Sequence, residues 1–214
     1  MFEIGTVVSR GFEGFKANAV PWILSFLIYI GVIVALQVVQ QILIAVVAQM
    51  NSPILLLPVI LVFALIGFVL GTLVLLGWSH MALKTARGQP VAVGDLFSQT
   101  GKLVPGLIAN LIMSLAIGIG TMLLCIPGLI AFAFLGLAIF FVVDKELDPI
   151  SALKASMSAT EPARMQVALF GLVAMLLYIA GAIACGIGVL VTLPTAMIAF
   201  AHVYEALSGK AATA

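Results

Sequence analysis

The sequence predicts an all-α polytopic membrane bundle: six transmembrane helices with three cytoplasmic interfacial amphipathic helices, arranged as a threefold repeat of interfacial helix plus helical hairpin. Three observations carry this: the composition, the spacing of the ionisable residues, and the side on which the cations fall. Of 214 residues 64% are apolar and 8% charged, with a mean hydropathy of +1.33. A soluble domain runs nearer half apolar and a quarter charged, so this composition excludes an ordinary water-soluble enzyme. The net charge of +1 leaves no basic footprint for nucleic acid, and two cysteines are too few for a disulfide scaffold or a cysteine-rich metal site.

Ionisable residues fall into clusters separated by three apolar deserts. Residues 17–79, 103–143 and 165–201 carry no Asp, Glu, Lys, Arg or His, over 63, 41 and 37 residues. A single helix of the second length would be about 60 Å long, twice the hydrocarbon thickness, so each desert must fold into a hairpin of two spans. Turn-forming residues sit where the hairpins should bend: Asn51, Ser52 and Pro53; Cys125 to Gly128; Cys185 to Gly188. The spans are expected near 20–47, 54–79, 103–124, 128–143, 165–184 and 189–207. The first is too long for the apolar core of a leader, and Glu3 and Glu13 do not suit a purely basic leader, so it is expected to be a retained helix.

The nine cations decide orientation. Two precede the first span, three lie between spans two and three, three between four and five, and one follows the sixth, while the hairpin tips carry none. The positive-inside rule then places both termini and the two long loops in the cytoplasm.

Before spans one, three and five the pattern becomes amphipathic. Phe2, Ile4, Val8, Phe12 and Phe15 recur at helical spacing opposite Glu3, Arg10, Glu13 and Lys16, which suits a helix lying in the interface. Val93, Leu96, Phe97 and Thr100 repeat the pattern weakly. Ile150, Leu153 and Met157 repeat it behind Asp148 as N-cap and Pro149 at the first helical position. The chain therefore reads as one integral membrane domain, 1–214, with repeat units at about 1–86, 87–147 and 148–209 and a tail at 210–214. Val20-Pro21-Trp22-Ile23-Leu24 parallels Val104-Pro105-Gly106-Leu107-Ile108, and Cys125 and Gly128 parallel Cys185 and Gly188 sixty residues on.

Candidate functional residues are few. His202 is placed about 10 Å inside the cytoplasmic interface with Glu205 three residues on, either a protonatable pair facing a vestibule or a tether near the headgroups, and the tether is preferred. Gln37, Gln40 and Gln41 form a polar stripe on span one, and Asn110, Ser114, Thr192 and Thr195 add polar groups that could line a path or join helices. Asp144, Glu146 and Asp148 could bind a hard cation, but their spacing fits no calcium loop and helix capping is the simpler role. Cys125 and Cys185 could staple two outer hairpin tips or simply fill packed turns. Gly67 and Gly71 form a GxxxG that permits close helix approach, within the chain or between chains. Pro58 and Pro194 lie inside spans. No catalytic set, cofactor motif or metal-ligand spacing is expected.

The run Cys125-Ile126-Pro127-Gly128 through Val142-Val143-Asp144, then Pro149, Ala152, Leu153 and Ser156, resembles a bacterial family of uncharacterised six-span inner-membrane proteins. That family includes the YciC-like proteins and the membrane domain of some glycerophosphodiester phosphodiesterases. The ending Gly186-Ile187-Gly188 through Val191-Thr192-Leu193-Pro194, Ala199 and Tyr204 is similar to the family's last hairpin. The resemblance covers most of residues 93–207 and implies a fold and a bacterial plasma membrane, without a catalytic residue. The expected function is a non-enzymatic scaffold or accessory subunit that packs against lipid, a membrane-protein partner or a second copy of itself. The alternative is a small-molecule or ion transporter with a path near Gln37, Gln41, Asn110 and His202.

Overall fold

A computed structural model describes residues 2–50, 53–123, 125–183 and 188–211. Its described elements are α-helices and short 3-10 turns, in the order α1 (Ile4–Ala17), α2 (Ala19–Gln49), α3 (Leu56–Ala86), α4 (Leu103–Leu123), α5 (Cys125–Leu135), α6 (Ala138–Lys145), α7 (Pro149–Thr160), α8 (Arg164–Ile183) and α9 (Val189–Ala211). Six segments are long and apolar enough to cross a membrane. Helices are the outcome that lipid enforces, because each satisfies its own backbone polar groups where no water can. Large apolar side chains such as Leu27, Val34, Leu65, Leu115 and Leu176 are accordingly exposed on the outer surface.

The centre of the bundle is α9. Its Ile198, Ala199, Ala201, Val203 and Tyr204 have no exposed surface, and it packs against α1, α3, α7 and α8. Small residues permit the closest approaches. A Cβ on Gly11 of α1 would lie 2.5 Å from the Thr195 carbonyl oxygen and 3.1 Å from the Ala199 backbone nitrogen, so α1 seats on α9 through that glycine. The tip ends of the second and third hairpins cross in the same way: Gly120 faces the backbone of Gly128, and Gly181 faces the backbone of Gly188. The first hairpin differs. Trp78 of α3 stacks on Phe26 of α2 at 5.5 Å, meets Tyr29 edge-on at 5.3 Å, and donates its indole N–H to the Ser25 hydroxyl at 3.2 Å. Farther out, a Cβ at Gly71 or Gly67 would meet open space.

Three features depart from the sequence expectation. The second span continues past residue 79 to Ala86, carrying His80 and Lys84 with it. The fourth span is not one helix over 128–143 but two, α5 and α6, interrupted at Gly136 and Leu137. Gly136 closes α5 by donating to the Phe132 carbonyl at 2.8 Å, and the Phe134 carbonyl accepts from the Ser156 hydroxyl of α7 at 2.6 Å, which offsets a lost helical bond. The segment before the third span is no α-helix. It forms two 3-10 turns, Val93–Phe97 and Thr100–Lys102, because Asp95 accepts from the Ala92 backbone nitrogen and from Lys84 and so winds the chain tightly under α3.

The segments before spans one and five are helical, as α1 and α7. Phe15, Leu96 and Leu153 turn into the bundle, whereas Phe12, Phe97 and Met157 are exposed. Asp148 caps α7, accepting from the Ser151 backbone nitrogen at 3.1 Å, with Pro149 at the first position. That hydrogen bonding holds the Asp148 carboxyl below its usual pKa.

Candidate functional site

The polar groups gather at one end of the bundle, where α3, α6 and α9 finish. Arg87 is the C-cap of α3, its backbone nitrogen donating to the Leu83 carbonyl at 3.0 Å, and its side chain reaches to α6 and α9. Its Nη2 lies 2.7 Å from Asp144 Oδ1, beyond the buried stretch of α6, and 2.7 Å from Glu205 Oε1 on α9, which also accepts from Nε at 2.7 Å. Asp144 Oδ2 accepts from the Tyr204 hydroxyl at 2.8 Å. The Tyr204 ring is fully buried, stacked on Phe140 at 5.7 Å and edge-on to Phe141 at 4.9 Å. One guanidinium thus ties three spans through two carboxylates. Partial burial opposes its charge, but the hydrogen bonds and charges of Asp144 and Glu205 outweigh it and raise the Arg87 pKa above the ordinary arginine value.

Two further ion pairs flank this knot, Lys84 with Asp95 at 2.7 Å and Lys102 with Glu146 at 3.1 Å; Lys102 also donates to the Val143 carbonyl at the end of α6. Between them lies a cavity of about 180 Å³ bordered by His80, Lys84, Arg87, Gln99, Lys102 and Asp144. This is room for a few waters among fixed charges, each already engaged by an opposite one. The three acidic residues weighed as a cation site therefore do separate things: Asp144 and Glu146 pair with Arg87 and Lys102, and Asp148 caps α7.

The other singled-out residues are dispersed. His202 is half-buried on α9, and among the described residues no hydrogen bond joins it to Glu205, whose carboxylate goes to Arg87. Asn110 donates to the Thr72 hydroxyl at 2.9 Å, joining α4 to α3, and accepts from Ser114 at 3.4 Å. Gln37 and Gln41 sit on the exposed side of α2, with Gln40 half-buried. Gly67 and Gly71 make no close internal contact. Cys185 and the Cys125 side chain lie outside the described residues.

Sequence reasoning missed Arg87, His80 and the structural part of Tyr204. Arg87 and Glu205 are 118 residues apart and Tyr204 and Asp144 are 60 apart. The available signal was positional: a cation, an acid and a tyrosine all at the same end of their spans.

Comparison with known proteins adds distant relatives. The chain is 31% identical over 128 residues to the uncharacterized protein Rv2560 of Mycobacterium tuberculosis, a stretch covering 59% of this chain and 39% of that protein. The same identity and shares hold for the uncharacterized protein Mb2590 of Mycobacterium bovis. The chain therefore spans well under half the length of the curated relatives it matches. No family model matches it, and no solved structure does. Taken with the six apolar segments, this is a multi-pass membrane-helical protein with relatives of unknown function in mycobacteria.

Proposed function

We propose that the protein is a non-enzymatic membrane scaffold or accessory subunit in a bacterial inner membrane, with both termini in the cytoplasm. The observation that carries the reading is the first hairpin. Gln37 and Gln41 are exposed among aliphatic side chains such as Val34, Val38, Val39 and Ile42 on α2, and Gly67 and Gly71 face open space on its neighbour. Side-chain amides at membrane depth gain most from another amide, and a glutamine both donates and accepts, so a partner helix suits this hairpin. Purification in mild detergent should recover a second copy or a stoichiometric protein partner, and the Gln37→Leu/Gln41→Leu double variant should remain folded and lose it. A wild-type protein that comes out as a single chain with a bound small solute overturns the reading.

Orientation rests on the cations, all nine of which lie outside the hairpin tips. In a background lacking Cys125 and Cys185, a cysteine replacing Ile54 should react with an impermeant thiol reagent added to intact cells, and one replacing Gln89 should not. The reverse pattern inverts the topology.

The repeat, with α1 and α7 as interfacial helices, draws support from the matching glycine crossings in the second and third hairpins; the aromatic-packed first hairpin and the 3-10 turns before the third span depart from it. Kinship with the six-span YciC-like family is part of the same proposal. The transporter alternative draws support from one feature, the interrupted fourth span, since broken helices line substrate sites in many carriers.

A further inference from the structure

We infer that the groove between α5 and α8 holds an acyl chain of an anionic phospholipid whose phosphate rests on Arg164. The inference depends on the chain spanning a membrane and goes beyond the scaffold reading. The groove, of about 370 Å³, is walled by Leu129, Ile130 and Ala133 on α5 and by Ala168, Leu169 and Leu172 on α8. Ala133 and Ala168 leave it deep by being small. From Arg164 to Leu172 it runs about 12 Å, close to the depth of one leaflet.

Chemistry is concentrated at one end. Arg164 opens α8 at the charged end of the bundle, and its guanidinium lies over the Phe134 ring at 5.0 Å, which fixes it across the mouth of the groove. Its carboxylate neighbour is Glu161 at 3.5 Å, with both side chains more than half exposed, so the guanidinium keeps donors free for a phosphate. An apolar slot with a cation at headgroup level matches the two halves of one lipid molecule.

Native mass spectrometry of the whole protein, equilibrated with mixed phosphatidylglycerol and phosphatidylcholine, tests this. Wild type should retain phosphatidylglycerol about fivefold over phosphatidylcholine, the worth of one arginine near a charged surface. Arg164→Gln, a change at an exposed residue, should bring the ratio near one, and Glu161→Gln should raise it by freeing the guanidinium. Ala168→Phe should lower retention of both lipids by filling the slot. Equal retention in wild type, or a preference that survives Arg164→Gln, overturns the inference in favour of an unselective lipid annulus. Displacement of the lipid by millimolar inorganic phosphate, with no effect of Ala168→Phe, overturns it in favour of a free-anion site. The same spectra count protein chains, so loss of lipid selectivity with a partner still bound separates this failure from failure of the scaffold reading.

Discussion

Gly77→Ala should destabilise the bundle by about 3 kcal/mol, among the largest effects expected of one added methyl group. Gly77 lies where the turn Val93–Phe97 crosses beneath α3. A Cβ there would fall on the Leu96 carbonyl oxygen and within 2.7 Å of its carbon and 2.8 Å of its Cα. Backbone cannot rotate aside as a side chain can. Nor is the turn free to slide, because Leu96 is fully buried and Asp95 is bonded to both Lys84 and the Ala92 backbone nitrogen. The measurement is the thermal midpoint in detergent, with Gly94→Ala as control, since a Cβ on Gly94 meets open space. Equal midpoints for the two variants would show that the turn does not seat on Gly77.

Arg87→Gln should cost about 2 kcal/mol, because it removes the charge that two carboxylates share. The figure is kept below that of a fully buried pair, as the Arg87 and Glu205 side chains are each 37% exposed and partly screened by water. Asp144 is the more enclosed partner at 17% exposure, so double-mutant cycles should give a larger coupling between Arg87 and Asp144 than between Arg87 and Glu205. Equal couplings would mean that burial does not govern the knot. Because its pKa is raised, Arg87 contributes fully below the ordinary arginine value, and its contribution fades only as pH rises through the raised one. The ion pairs on its side therefore hold at any pH near neutrality as far as this residue is concerned.

The hairpins were legible because lipid allows few alternatives: a long run without charge must cross, and a run of twice the needed length must turn. Asp148 and Pro149 announced α7 for equally local reasons. The interruption at Gly136 was not legible, since the run from Ile126 to Val143 is apolar throughout and the hydroxyl that answers Phe134 comes from Ser156, 22 residues later. The overrun of α3 to Ala86 was hidden for a different reason. His80 and Lys84 look like the end of a span, yet helix geometry carries them on into the polar end, where Asp95 receives Lys84. Asn110, Gln37 and Gln41 look alike in sequence, and only packing separates an amide spent on Thr72 from amides left on the outside.

Helices α2 and α3 have 31 residues each, against 21 in α4 and 20 in α8. At 1.5 Å per residue α2, apolar from end to end, is about 46 Å long, and fitting that into roughly 30 Å of hydrocarbon would demand a tilt near 50°, steeper than transmembrane helices usually adopt; the apolar part of α3, before His80, is about 36 Å and also overreaches. The first hairpin is thus mismatched to an average bilayer while the other two are matched. In a thin membrane more of its aliphatic tip, including Ile54, Leu57 and Leu61, stands beyond the hydrocarbon and favours burial against a neighbour; in a thick membrane the lipid itself covers it. Bilayer thickness then becomes a variable that sets how strongly this protein associates.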